Sequence, residues 1–94
     1  MPGSGDTPTV AGVPITIDRL SEVPAYQQLA AEIRRLIAER ALPVDEDTGK
    51  MRVPSIHDLI RETGLAQNTI LKAVGLLRAE GLVVRVPGRG VFVK

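Results

Sequence analysis

The sequence has no cysteine and only one histidine among its 94 residues. The absence of cysteine excludes a disulfide framework and a thiol nucleophile, and a single histidine does not supply the ligand set of an ordinary zinc site. The chain also lacks a run of the ~20 apolar residues that a membrane span requires. Its first residues show no positive segment followed by an apolar one, as a secretion signal would. We therefore expect a cytoplasmic protein without a membrane anchor.

The length of the chain limits the fold to one small domain. A domain of this size buries one modest core and leaves little protein with which to build a deep substrate cavity. We therefore expect that the protein is not an enzyme, and no metal or cofactor is implied.

Charge is distributed unevenly along the chain, although the net charge is only +1. Residues 1–48 carry four Arg against eight Asp and Glu, whereas residues 49–94 carry eight Lys and Arg against three acidic residues. Such a division suggests that the second half binds a polyanion. The alternative is that these charges only solvate the surface, which is the usual role of surface charge.

The first half of the sequence predicts an arm, a strand, a helix and a loop. Residues 1–13 are rich in Gly, Pro, Ser and Thr and predict a disordered N-terminal arm, so the folded domain covers residues 14–94. The alternation in "ITID", residues 15–18, predicts a short strand. Apolar residues at helical spacing from Pro24 onward predict a first helix that ends near residues 40–42. The acidic segment "PVDEDTGK" lacks the ligand spacing of a calcium loop and predicts a solvated loop.

Two short helices follow across a tight turn. Ser55 and Asp58 have the spacing of a capping box and predict a helix over residues 56–63, which Gly64 ends. A further helix is predicted from about residue 67 to residue 80. Its inward face shares apolar character: Ile70, Ala73, Val74 and Leu77. Two helices joined in this way form a helix-turn-helix.

The end of the sequence predicts an antiparallel hairpin. "LVVRV" and "VFVK" are β-branched segments separated by "PGRG", residues 87–90. The order of elements is that of a winged helix-turn-helix. The expected fold class is mainly α with a small β-hairpin, built from three helices, a C-terminal wing and a short N-terminal strand.

The outward face of the second helix of the pair suits DNA. In the helix-turn-helix docking mode, the first residues of this helix enter the major groove. Gln67 and Asn68 carry amides that can pair with adenine, and Thr69 can reach a base or a phosphate. Leu71 can contact a thymine methyl group, and Lys72 is placed for a phosphate or a guanine. The alternative for Gln67 and Asn68 is that they only cap the helix, which is a frequent role for Asn.

The hairpin tip suits the minor groove. Gly88 and Gly90 leave no side chain to prevent close approach, and Arg89 between them is the residue type that a narrow minor groove attracts. The alternative is an ordinary exposed turn.

At these residues the sequence resembles the winged-helix DNA-binding domain of the GntR family of bacterial transcription regulators, over about residues 23–93. "PAYQQLAAEIRRLI" is similar to the family's first helix, "VPSIHDLI" to its LPS-x-R-x-LA segment, and "GLAQNTILKAVGLLRAEGLVVRVPGRGVFV" to its recognition helix and wing, in the form of the YtrA-like and HutC-like branches. The resemblance adds Ser55 and His57 to the DNA-binding candidates. It implies sequence-specific binding to double-stranded DNA by a regulator, expected to be a repressor that binds a palindromic operator as a homodimer.

The sequence also departs from the family pattern. The family usually has Arg where this sequence has His57. It often has Arg at the positions of Gln67 and Leu71 as well. The arginine charge is absent from all three positions here. The link between the first two helices is extended by the acidic segment. We therefore expect an altered operator sequence, weaker electrostatic binding, or both. Three basic residues are candidates to replace the missing charge: Lys50, Arg52 and Arg61.

Two other functions are open to the sequence. A winged helix can bind another protein, here through Leu71, Leu76 and Gln67, with little dependence on salt. A small hydrolytic domain would use His57 with Asp58 or Glu62, but adjacent helical positions do not face each other and no nucleophile is near.

Regulators of the family also carry a C-terminal domain for an effector or for dimerisation. We expect either an excised DNA-binding domain or a small protein without its own sensor, and the effector is not identified.

Overall fold

The computed structural model describes residues 9–10 and 13–94. Within these residues the chain forms three helices: α1 (Ala25–Ala38), α2 (Ile56–Thr63) and α3 (Gln67–Ala79). It also forms five short strands: β1 (Thr9–Val10), β2 (Val13–Pro14), β3 (Arg52–Val53), β4 (Val83–Val86) and β5 (Gly90–Val93). This arrangement confirms the predicted winged helix-turn-helix, with β4 and β5 as the wing.

Helices α1 and α3 pack against each other and supply half of the residues of the core cluster. The inward face of α3 contains Ile70, Ala73, Val74 and Leu77, as predicted from the spacing, and the buried residues of α1 are Leu29, Ala30, Ile33 and Leu36. Helix α1 ends a little before the predicted boundary. Arg40 has a positive φ of 54°, which stops the helix, and the amide of Ala41 turns back to donate to the carbonyl of Leu36 at 2.9 Å.

The helix-turn-helix has the predicted boundaries because both signals in the sequence are used. The Ser55 hydroxyl accepts a hydrogen bond from the Asp58 amide at 3.1 Å, and this cap begins α2. Gly64 takes the left-handed conformation with φ 71° and ends it. The Arg19 guanidinium also donates to the carbonyl of Thr63, so the segment before α1 is attached to the end of α2.

The wing belongs to a three-stranded antiparallel sheet with the order β3-β5-β4. Arg85 on β4 lies opposite Val91, and Arg52 on β3 lies opposite Phe92. The predicted hairpin is confirmed, and β3 is an addition that the sequence analysis did not predict. Strand β3 has two residues, too few to show an alternating pattern.

The predicted strand over residues 15–18 is wrong. These residues form no strand, although Ile15 is buried in the core with 1% of its surface exposed. Strands β1 and β2 pair just before them, with Val10 opposite Val13. Most of the arm predicted over residues 1–13 lies outside the described residues, and that prediction stays a prediction.

The acidic segment is closed by backbone hydrogen bonds. The amide of Asp45 donates to the carbonyl of Lys50 at 2.8 Å, and the amide of Arg52 donates to the carbonyl of Pro43 at 2.7 Å. We call residues 45–49 the acidic turn. Its charged side chains are in contact with water, as expected, but its backbone is fixed as an extension of β3 because Val44 and Met51 form a β-bridge.

Candidate nucleic-acid interface

A cleft of about 440 Å³ lies between the start of α2, the outer face of α3 and the wing. Five of the predicted site residues line it: Ser55, His57, Gln67, Leu71 and Gly90. The fold thus brings together residues that are up to 35 positions apart in the sequence. The other predicted residues, Asn68, Thr69, Lys72, Gly88 and Arg89, lie outside this cleft on α3 and at the wing tip.

The cleft is basic. Arg52 from β3, Arg78 from the last turn of α3 and Arg85 from β4 all line it. No Asp or Glu is among its lining residues within the described part of the chain. Neither Arg78 nor Arg85 forms an ion pair with another described residue, so their charges are available to an anionic partner. A concave surface lined by one sign of charge concentrates the field that attracts a polyanion.

One row of α3 side chains faces the cleft. Gln67 and Leu71 are one helical turn apart and both are exposed, Leu71 with 43% of its surface accessible. Gly75, one turn further on, leaves open space where a side chain would stand. Leu76 is half-buried and packs against the core. The apolar surface of this row therefore consists of one leucine beside small and polar neighbours.

A second row of α3 side chains lies on another flank of the helix. The N-cap residue is Ala66, which gives no side-chain cap. The side chain of Asn68 is exposed and makes no hydrogen bond to any described residue, which contradicts the capping alternative. Thr69 is half-buried. The ammonium of Lys72 lies 4.3 Å from the ring centroid of Tyr26, within the range of a cation–π contact with the first turn of α1.

The start of α2 forms the floor of the cleft. The Ser55 hydroxyl is engaged in the helix cap although the residue is exposed, and His57, the second residue of the helix, is exposed beside it. The carboxylate of Asp58 pairs with Arg61 rather than with the imidazole. Asp58, one of the two acids in the hydrolytic alternative, is therefore not oriented by His57.

The wing tip is held by its own contacts. The amide of Arg89 donates to the carbonyl of Val86 at 3.0 Å, which closes the turn, and Gly88 and Gly90 have φ values of 76° and 120° that favour glycine. Arg52 donates to the carbonyl of Arg89 at 3.1 Å. The tip thus presents a narrow backbone ridge with the Arg89 side chain beside it, about half exposed.

Arg89 also has a partner that the sequence analysis did not predict. Its guanidinium nitrogen Nη2 lies 3.6 Å from Oδ2 of Asp47 in the acidic turn. The two residues are 42 positions apart, and no local pattern in the sequence connects them.

Sequence reasoning missed Arg85 and gave Arg78 no role. A usable signal was present for Arg85, the only charged residue of β4, because a charge in an otherwise valine strand must face solvent or a partner. Of the three basic residues proposed as replacements, only Arg52 lines the cleft, while Arg61 pairs with Asp58.

None of the helices in the described part of the chain is long and apolar enough to cross a membrane.

Comparison with known proteins agrees with this geometry. The family model for bacterial regulatory proteins of the gntR family matches residues 25–93. The HTH-type transcriptional regulator Rv0792c of Mycobacterium tuberculosis is 39% identical over 71 residues, which are 76% of this chain and 24% of that protein. Three further curated relatives, 30% to 34% identical, are named as repressors. The chain spans between 18% and 33% of the length of these four relatives.

Solved structures show the same fold. YtrA from Sulfolobus acidocaldarius, a GntR-family transcription factor, superposes with a TM-score of 0.72 at 36% identity, covering 85% of this chain and 79% of YtrA. AraR(DBD), solved in complex with operator ORE1, superposes with a TM-score of 0.68 at 28% identity, covering 84% of this chain and 90% of AraR(DBD).

Proposed function

Because the chain belongs to the gntR family of bacterial regulatory proteins, we propose that its winged helix-turn-helix binds double-stranded operator DNA and regulates transcription. The observation that carries the proposal is the cleft beside α3, which contains three arginines and no carboxylate among its described lining residues. DNA is the polyanion that this fold is built to hold, since a helix fits the major groove and a β-ribbon tip can reach the neighbouring minor groove.

In the proposed complex, α3 lies in the major groove. Gln67 and Asn68 at its start read adenine edges, and Leu71 contacts a thymine methyl group. Gly75 allows the helix backbone to approach the groove wall closely. Sequence discrimination therefore comes from neutral side chains on α3.

The cations bind the DNA backbone in this proposal. Arg78 and Arg85 contact phosphates on one side of α3, and Lys72, held over Tyr26, contacts a phosphate on the other. Arg89 enters the minor groove next to the flexible glycines of the wing. Ser55 and His57 at the start of α2 supply weaker contacts, and His57 stands at the position where the family usually has arginine.

We further propose that the protein is a cytoplasmic repressor and that it has no catalytic role. Three curated relatives are named repressors, and blocking a promoter needs only occupancy of the operator. A helix-turn-helix that reads two half-sites one helical turn apart does so as a dimer on a palindromic operator. Dimerisation and any effector site then belong to the protein as a whole.

The protein-interaction alternative has less support. It requires an apolar surface on α3, and Leu71 is the one large apolar side chain of that helix that is exposed. Such binding would also depend little on salt, so the salt titration below separates the two functions.

The proposal is tested by fluorescence anisotropy with a labelled random-sequence duplex over a range of salt concentrations. We expect log K to fall linearly with log salt for the wild type. Arg85→Ala should bind more weakly and reduce the slope by about one unit, since one phosphate contact is lost. A duplex enriched by selection from a random library should bind more tightly than random DNA by at least about 10³-fold.

Arg40→Gly is the matched control. It removes the same charge from a residue outside the cleft, and glycine accepts the positive φ of this position. It should leave the slope unchanged. Absence of DNA binding at low salt, or binding that does not depend on salt, would overturn the proposal. If Arg85→Ala and Arg40→Gly had equal effects on the slope, the cleft would not be the DNA-binding surface.

A further inference from the structure

The acidic turn and the wing tip meet although they are far apart in the sequence. Asp47 and Arg89 form an ion pair, with 74% and 51% of their side chains exposed. The same turn places Asp45 and Glu46 beside Arg52, and these residues together line a shallow depression. Arg52 in turn donates to the carbonyl of Arg89. The turn thus lies against the two arginines nearest the wing tip.

A carboxylate and a phosphate compete for the same guanidinium. Each accepts the same charge-assisted hydrogen bonds from arginine, so Arg89 cannot be fully engaged by both. If Arg89 enters the minor groove, its pair with Asp47 has to open, and the carboxylates of the turn are left near the phosphates, where like charges repel each other.

The backbone of the turn keeps these charges in place. Hydrogen bonds from Asp45 to Lys50 and from Gly49 to Asp45, both 2.8 Å, close the turn, and the Asp45 carboxylate accepts from the Thr48 amide at 3.0 Å. The turn is anchored to β3, which pairs with β5 of the wing. A flexible acidic loop would move away from DNA, whereas this turn keeps its position relative to the wing.

We infer that the acidic turn is an intramolecular competitor for DNA at the wing, acting through the Asp47–Arg89 pair. The inference rests on the proposed function. Exposed ion pairs are weak, so the competitor lowers the affinity for every duplex by a small factor of about two to five at low salt. Its effect is to limit non-specific binding, in which the electrostatic contribution dominates.

Asp47→Asn tests the inference in the full chain, again with a random-sequence duplex. It removes the charge and keeps the size of the side chain, and it should raise affinity about two- to five-fold at low salt, with a gain that shrinks as salt rises. Glu46→Gln is the matched control, since it removes the same charge from the next residue in the turn. It should produce less than half of the gain.

The pair itself is tested by repeating Asp47→Asn in an Arg89→Ala background. There the gain in DNA affinity should fall to that of Glu46→Gln, because the guanidinium for which Asp47 and DNA compete is absent. Equal gains from Asp47→Asn and Glu46→Gln, or a gain that persists without Arg89, would overturn the inference and leave DNA binding intact. Failure of all variants to bind DNA would overturn the proposed function as well, so the two failures are distinguishable.

Discussion

Leu71 places an exposed apolar side chain on α3 at a position where the family often has arginine. It has 43% of its surface exposed, so the core does not require it, and its side chain lines the cleft beside Gln67. A leucine at a base-contacting position discriminates by contact with a thymine methyl group and contributes nothing to phosphate binding.

We predict that Leu71→Ala binds random DNA as the wild type does but discriminates less. On a selected operator, replacing the contacted thymine by uracil removes the methyl group and should weaken binding of the wild type several-fold. The same replacement should have little effect on Leu71→Ala. The measurement is a competition titration with four protein–duplex pairs. An equal thymine-to-uracil effect in both proteins would show that Leu71 does not contact that methyl group.

Ser55 combines two roles at the start of an element. Its hydroxyl caps α2 and is also exposed in the cleft. Ser55→Ala should therefore lower the free energy of unfolding by about 1 kcal/mol, as the loss of an N-cap does. Urea unfolding monitored by circular dichroism measures this change.

Ser55→Asp separates the two roles. Aspartate is an equally good N-cap, so the stability should return to about that of the wild type. A carboxylate in the cleft repels phosphate, so affinity for DNA should fall below that of Ser55→Ala. If Ser55→Asp binds DNA as tightly as the wild type, the start of α2 does not approach the DNA backbone.

Gly75 lies within α3 at a point where a side chain would meet nothing within 4 Å. Gly75→Ala should stabilise the fold by about 1 kcal/mol, because alanine is the better helix former and no contact is disturbed. If the helix backbone approaches the groove wall here, the added methyl group should weaken DNA binding in the same variant. Thermal unfolding measures the expected gain in stability, and fluorescence anisotropy measures the expected loss of DNA affinity.

Gly81→Ala is the comparison for that variant. Gly81 has equally open surroundings but a φ of 77°, so alanine there should destabilise the fold. A stabilised Gly75→Ala with unchanged DNA affinity would mean that Gly75 serves no role in binding.

The elements that the sequence predicted correctly are those with a strong local signal. Helix α3 shows four inward residues at helical spacing, and α2 is bounded by Ser55 and Gly64, which perform the predicted functions. The paired strand over residues 15–18 failed because alternation over four residues also fits an extended segment that buries Ile15 alone. Strand β3 and the Asp47–Arg89 pair were missed because each depends on residues about 40 positions away.

At the scale of the whole molecule, one core supports both the helices and the wing. Leu77 of α3 is fully buried, and it packs in the same cluster as Val83 and Val93 of the wing. Leu77→Ala should lower the free energy of unfolding by about 2–5 kcal/mol, a large part of the ~5–15 kcal/mol typical of a small domain.

For a domain of this size, that loss should lower Tm by at least about 10 °C. Leu20→Ala is the control, since Leu20 has 96% of its surface exposed, and it should shift Tm by little. Differential scanning calorimetry measures both. Separate transitions for the helices and the wing would contradict the single core.

Surface charge also acts across the molecule. Arg34 of α1 donates to Glu80 just after α3 at 2.7 Å, and this hydrogen bond raises the pKa of Arg34 above its usual value. Arg34 therefore stays charged throughout the range in which the protein is handled, and any stability from its raised pKa would be lost only in strong base. The division of charge between the halves of the sequence was visible beforehand. The contact between the two halves at the wing, where Asp47 pairs with Arg89, was not visible, because it depends on the tertiary fold.

The central position of β5 in the sheet has a consequence for the order of folding. Strand β5 pairs with β4 across the three residues 87–89 and with β3 across the 36 residues 54–89. Contacts between near neighbours in sequence form fast, whereas distant pairings wait for the loop between them to close. Helices α2 and α3 and the β4–β5 hairpin can therefore form early, and docking of β3 completes the domain. Since the acidic turn extends from β3, it reaches the wing only in this last step.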